Sequence, residues 1–373
     1  MATTTPAPSA EAFLNDPRFN RTLTLPADPS TNRPHPFTIK YTDYGYHNPT
    51  DPSQERVLLF FSPLMGSRLL HICKDALARD HRIRIINPDR PGIGGTDAAP
   101  ASDRLALWRA ALPELLAHLR VTRLHAVAAH SGGTVYALDF VLHHPEFLIP
   151  HAAAGERPTV LALGAPWILP AHSGSGLLSM AECLPNFAVR QADKLAVMVT
   201  NFIAPAVGVS AGLSAFLMPQ RVQDDGDEAV KFEEKTVWPA LMKKVYEEGV
   251  GGVGEDAVVF LQKADGEAGW GDWGNYDALV VRLREVLARE GKGVRVRVYY
   301  AEKDVIVGDG GKESNGAKWL DQCWAGDGEE IEYRSRTVQG VDHDHVWDLR
   351  WGVIQEVFRD VAQAEGEREG VDA

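Results

Sequence analysis

Apolar and polar positions alternate along this chain with two different periods, and the switch between them outlines the fold. Phe37 to Tyr44 alternates apolar and polar side chains, the pattern of an edge strand. Val57-Leu-Leu-Phe-Phe61 is apolar without a break, as a strand covered on both faces must be. Further strands are predicted at Ile83–Ile86, Leu124–Ala129, Thr159–Leu163, Val294–Tyr300 and Ile331–Val338, several of them with charged residues between the apolar ones. Between them the period lengthens, predicting helices over Arg68–Leu77, Asp103–Leu119, Gly132–His143, Tyr276–Arg289, Gly316–Trp324 and Val346–Ala364. In the second of these, Leu105, Trp108, Leu112, Leu115 and Leu116 share one side. Alternation of this kind predicts a mostly parallel sheet with helices on both faces.

The rhythm breaks over residues 169–272, which hold apolar helical patches, a charged stretch from Asp224 to Lys235 and a glycine cluster, but no strand run. The expected organisation is a flexible N-terminal arm (1–20), an α/β core (21–168 and 273–364) split by a helical cap (169–272), and a flexible tail (365–373). Residues 195–220 carry no formal charge. Pro205, Gly208, Gly212 and Pro219 interrupt that stretch, so a membrane span is not expected. Lid core is its default reading; a wall of the substrate pocket and a contact surface for a second copy of the chain or a membrane are the alternatives.

Composition narrows the classes. Lys and Arg number 38 against 51 Asp and Glu, a net charge of −13. An acidic chain without a basic cluster is a poor partner for nucleic acid. The three cysteines lack any metal-ligand spacing, so no structural metal is expected, and their scarcity suggests a reducing, cytoplasmic setting. The first residues carry no basic and apolar secretory pattern.

The sharpest chemical signal is Ala129-His130-Ser131-Gly132-Gly133-Thr134, between a predicted strand and a predicted helix. It matches a nucleophile elbow with Ala129 in place of the usual first glycine. Small flanking residues let the chain turn sharply and lift the Ser131 hydroxyl to the carboxyl end of the sheet. A helix start without chemistry is the plain alternative. Two further loops follow predicted strands: Phe60-Phe-Ser-Pro-Leu-Met-Gly-Ser-Arg68, and Asn87-Pro-Asp-Arg-Pro-Gly-Ile-Gly-Gly-Thr96.

With the elbow, these loops make the chain resemble the α/β-hydrolase superfamily, over about 37–168 and again over about 276–364. The likeness is to capped, single-chain serine hydrolases, whose lid enters after the sixth strand of an eight-stranded sheet. The resemblance implies a chain order Ser, Asp, His. In Tyr300-Ala-Glu-Lys-Asp-Val-Ile-Val307, Asp304 matches the acid and Glu302 is the fallback. In Gly340-Val-Asp-His-Asp-His345, His343 matches the base and His345 is the runner-up. The resemblance also implies oxyanion donors at Gly132 and in the loop after Phe61. There the family's His-Gly pair is replaced by Ser62-Pro63; proline has no N–H, which moves the donor to Leu64. The Ser62 hydroxyl is an alternative donor.

Substrate contacts are expected from His130, Trp167, Phe202 and Phe216, with Trp270 and Trp273 at the hinge or rim. Packing explains His130 and the tryptophans equally well. Gly249-Val-Gly-Gly-Val-Gly254 spells a dinucleotide fingerprint but lacks the preceding strand, and reads as a helix stop and flexible joint. The expected activity is cleavage of a carboxylic ester or lactone of a small to medium apolar molecule, with no cofactor and no metal. A C–C hydrolase, acyltransferase or lyase using the same residues is one alternative, and a ligand-binding protein without catalysis is the other. A small molecule is the expected partner, with homodimerisation through the cap as a further reading.

Overall fold

The computed structural model describes residues 8–31, 33–151, 157–192, 194, 226–264, 274–307, 315–326 and 328–363. Eight strands form one sheet: β1 (Arg21–Leu25), β2 (Phe37–Gly45), β3 (Arg56–Phe61), β4 (Ile83–Pro88), β5 (Ala126–His130), β6 (Thr159–Gly164), β7 (Val294–Ala301) and β8 (Ile331–Val338). Their order is β1-β2-β4-β3-β5-β6-β7-β8. β2 runs antiparallel to both of its neighbours, and all pairs from β4 to β8 are parallel.

Successive side chains of a strand point to opposite faces, so an unbroken apolar run feeds two cores. Leu59, Phe61, Val127, Val296 and Val298 enter one core with helices Arg104–His118, Gly133–His143, Tyr276–Glu290 and Asn315–Trp324. Leu58, Phe60, Ala126, Ala128 and Tyr299 enter the other, with helix Val353–Ala362 and Ala78 of Asp75–Asp80. The chain between β6 and β7 supplies a helical cap, including Gly176–Cys183, Trp238–Glu248 and Val253–Phe260.

Four local expectations are corrected. Phe37–Tyr44 is not at the edge, because β1 pairs along it from Arg21↔Tyr41 to Leu25↔Phe37. Arg68–Leu77 is not one helix; a short 3-10 turn (Ile72–Lys74) leads into Asp75–Asp80. The Arg68 guanidinium is buried against Asp89, Glu248 and the Phe19 carbonyl, and these tertiary partners override the local period. The last helix starts at Val353, not Val346, since Gly352 takes φ +72° and breaks it from the preceding turn. The arm is not loose over residues 10–20. Ala10–Leu14 is helical, Leu14 and Phe19 are buried, and Arg18 pairs with Asp75 at 2.8 Å. The tail 365–373 and the stretch 195–220 lie outside the described residues.

The cap is tied to the core by buried charge as well as by apolar contact. Asp256, fully buried, accepts from Arg90 Nε at 2.8 Å, Arg104 Nε at 2.7 Å and the Tyr136 hydroxyl at 2.5 Å. Buried Lys74 pairs with Glu233, whose other oxygen accepts from the Leu349 amide at 2.8 Å. The 249–254 glycine run does stop helix Trp238–Glu248, but it is pinned, not a free joint. The Gly94 amide donates to Gly249, and the Gly252 amide to Gly92 at 2.8 Å. Among the described residues, no helix is long and apolar enough to cross a membrane.

Candidate active site

Three loops at the carboxyl ends of β5, β7 and β8 converge. Ser131 follows β5 directly, at φ +51°, where an L side chain is strained. Its amide donates to the Gly164 carbonyl at 3.0 Å, and its own carbonyl accepts from the Thr134 amide at 2.9 Å and the Trp167 amide at 3.2 Å. Glycine at 133 lets the turn close without displacing its neighbours, since a Cβ there would lie 2.3 Å from the Phe61 carbonyl oxygen.

The Ser131 hydroxyl lies 2.7 Å from His343 Nε2. His343 Nδ1 lies 2.7 Å from Asp304 Oδ2. The other Asp304 oxygen accepts the amides of Ile306 at 2.9 Å and Val307 at 3.0 Å, which orients the carboxylate. All three side chains are buried. Nδ1–H therefore donates to Asp304 and leaves Nε2 free to accept from the hydroxyl. Burial opposes a charged imidazole most strongly, but the charge and hydrogen bond of Asp304, joined by the charges of Asp344 and Asp342, together raise the His343 pKa above the usual histidine value.

His130 packs beside this relay and its Nε2 lies 2.8 Å from the His343 carbonyl, so it steadies the histidine loop. Burial, then the His343 charge, pushes its pKa down to about 3, so it stays neutral. The alternative candidates are engaged elsewhere. Glu302 accepts from the Gly340 amide at 2.7 Å, and His345 Nδ1 bonds Asp342 at 2.6 Å.

Leu64 borders the cavity over Ser131, and Gly132 follows Ser131 in the chain. Among the described residues neither amide has an acceptor within the protein. The Ser62 hydroxyl does not serve the site; it donates towards Ser67 O at 3.0 Å and bonds the Asn87 side chain. A cavity of about 70 Å³ opens over Ser131 and His343, walled by Pro63, Leu64, Met65, Leu70, Trp167, Ile306 and the face Trp238, Met242, Tyr246. His130 and Trp167 of the expected contacts border it. Phe202, Phe216, Trp270 and Trp273 lie outside the described residues. The 238, 242, 246 stripe was not singled out by sequence, although its spacing of four marks one helical face. Asp256 had no local signal.

No family model matches the chain, and no curated protein is similar to it in sequence. Structural similarity is extensive. A carboxylesterase from the thaumarchaeon Nitrososphaera gargenis superposes with TM-score 0.52 at 14% identity, over 91% of this chain and 98% of its own. A thermophilic esterase from Thermogutta terrifontis gives 0.51 at 14%, over 92% and 100%. The epoxide hydrolase VrEH1 from Vigna radiata gives 0.52 at 14%, over 92% and 97%. The chain has the α/β-hydrolase fold. The α/β-hydrolase neighbours include both esterases and an epoxide hydrolase, so the fold alone does not choose the chemistry.

Proposed function

We propose that the chain is a serine hydrolase that cleaves a carboxylic ester or lactone of a small apolar molecule. One observation carries the reading: a continuous relay, 2.7 Å at each link, from the Ser131 hydroxyl through His343 to Asp304. It faces a cavity whose walls are mainly apolar. Ser131 Oγ attacks the substrate carbonyl carbon while its proton passes to His343 Nε2. Asp304 stabilises the imidazolium that results. Negative charge develops on the carbonyl oxygen, where the Gly132 and Leu64 amides are the candidate donors, each worth about 3 kcal/mol at the transition state. His343 then gives the proton to the leaving alkoxide, and the C–O bond breaks. Water, activated by the same imidazole, frees the acid and restores Ser131.

The largely apolar wall over Ser131 supports an apolar acyl group next to the serine. A serine at the elbow speaks against the carboxylate chemistry that the resemblance associates with epoxide hydrolases of this fold.

The test is covalent labelling by a fluorophosphonate, mapped by mass spectrometry to Ser131, together with turnover of aryl esters of increasing acyl length. Ser131→Ala should remain folded and lower kcat by about a millionfold. Residual turnover within about tenfold of the parent would overturn the assignment. Labelling at Ser131 without ester turnover would move the reading to C–C hydrolysis, acyl transfer or lyase chemistry. Neither labelling nor turnover would leave a ligand-binding protein.

A further inference from the structure

The loop after β3 departs from the pattern of its resemblance at Ser62-Pro63, and one side chain compensates for that departure. Arg90 Nη1 donates to the Ser62 carbonyl, and Nη2 donates to the carbonyls of Pro63 at 2.7 Å and Leu64 at 2.9 Å. Its Nε donates to Asp256 Oδ2 at 2.8 Å. Arg90 and Asp256 are both buried. One guanidinium thus grips three consecutive carbonyls of the core and one carboxylate of the cap.

Peptide planarity gives that grip a consequence. In a trans peptide the C=O and the following N–H point in opposite directions. Holding the Pro63 carbonyl towards Arg90 therefore turns the Leu64 N–H away from Arg90. The Pro63 carbonyl also accepts the Gly66 amide at 2.9 Å, which closes a turn and restricts the same peptide. Leu64 borders the cavity above Ser131. The peptide before Pro63 has no N–H, so no neighbouring donor can take over from Leu64 on that side.

The geometry points to Arg90 as a positioning residue that aims the Leu64 N–H at the developing oxyanion, with Asp256 of the cap holding Arg90 in place. This inference rests on the ester-hydrolase reading given above. It makes the cap part of the catalytic machinery as well as a cover. Asp256 also anchors Arg104 at 2.7 Å and Tyr136, on the helix behind Ser131, at 2.5 Å. One cap carboxylate thus sets the oxyanion loop against the helix that follows the nucleophile.

The test compares Arg90→Lys and Asp256→Asn with the parent enzyme, using a short aryl ester and an alkyl boronic acid. The boronate forms a tetrahedral adduct with the serine and places an oxygen where the oxyanion would sit. Lysine keeps the charge opposite Asp256 but is a point donor that cannot span three carbonyls. Arg90→Lys should lower kcat by about 10²-fold and weaken boronate inhibition by a similar factor, with KM within about threefold. Asp256→Asn, nearly isosteric, should move the same two quantities together by about tenfold or more. Leu64→Pro, which deletes the donor itself, should match Arg90→Lys.

A purely structural Arg90 would alter unfolding midpoint without this paired change. Arg90→Lys with kcat and boronate inhibition within threefold of the parent would overturn the inference. Should Arg90→Lys fail to fold, Asp256→Asn and Leu64→Pro decide by the same two readouts. If the parent neither labels nor turns over, the underlying reading has failed instead.

Discussion

Gly133→Ala isolates the elbow's steric demand. A Cβ at this position would stand 2.3 Å from the Phe61 carbonyl oxygen and 2.8 Å from that of Ser62. Ordinary contact needs the gap to open by about 1 Å. The neighbours are backbone, so they cannot rotate aside. Forced overpacking of this kind costs about 1–3 kcal/mol. The strand end that must move leads directly into the loop bearing Leu64, and a shift of about 1 Å in catalytic geometry costs about 10² in rate. The expected outcome is a protein destabilised by about 2 kcal/mol in urea unfolding. Its kcat should fall by about 10²–10³ with KM changed only a few-fold. Gly176→Ala is the control, because among the described residues nothing beyond its chain neighbours and its own helix lies within 4 Å of its added Cβ; it should be neutral or slightly stabilising. Equal stability and equal kcat in the two variants would refute the claim that the turn is held by backbone contact between 133 and 61.

Other expectations follow from the same geometry. On the proposed mechanism turnover requires neutral His343, whose pKa Asp304, Asp344 and Asp342 together raise against burial, so kcat/KM should fall as pH drops through a midpoint above the usual histidine value. A midpoint below about 6 in a pH–rate profile would contradict this. Asp304→Asn should lower kcat by about 10⁴ and move that midpoint down. Met242→Ala enlarges the cavity wall, so the kcat/KM ratio of a butyrate-type to an acetate-type ester should rise by about tenfold or more; an unchanged ratio would exclude Met242 from the acyl site. Glu233→Ala leaves Lys74 buried without its nearest carboxylate and should cost about 3–5 kcal/mol in chemical unfolding. A loss below about 1 kcal/mol would mean that Asp348, 3.9 Å from Lys74, already suffices.

Much of the core was legible in sequence because its signals are local. A run such as Val57–Phe61 suits a strand covered on both faces, and β3 covers Arg56–Phe61. Ile331–Val338 is β8 to the residue. Ser131 was legible for the same reason: a small-residue turn between strand and helix is written in six adjacent letters. Arg68–Leu77 misled because its apolar period coincides with a buried arginine whose partners lie far along the chain. The burial of Phe19 was hidden in a segment rich in Thr and Pro, since its contacts come from β2 and the Arg68 loop.

The chain's own order of residues therefore determined the strand and helix rhythm, the elbow and a short list of acids and bases. Which of them lie together only the tertiary structure shows. Asp304 and His343 stand 39 residues apart, and His343 and Ser131 stand 212 apart, yet each pair meets at 2.7 Å. Glu302 and His345 are each two residues away and face other partners. Sequence separation says nothing about which way a loop side chain turns at a sheet's end. That is set by packing between elements, and so is the grip of Arg90 on the loop after β3 through a cap carboxylate 166 residues away.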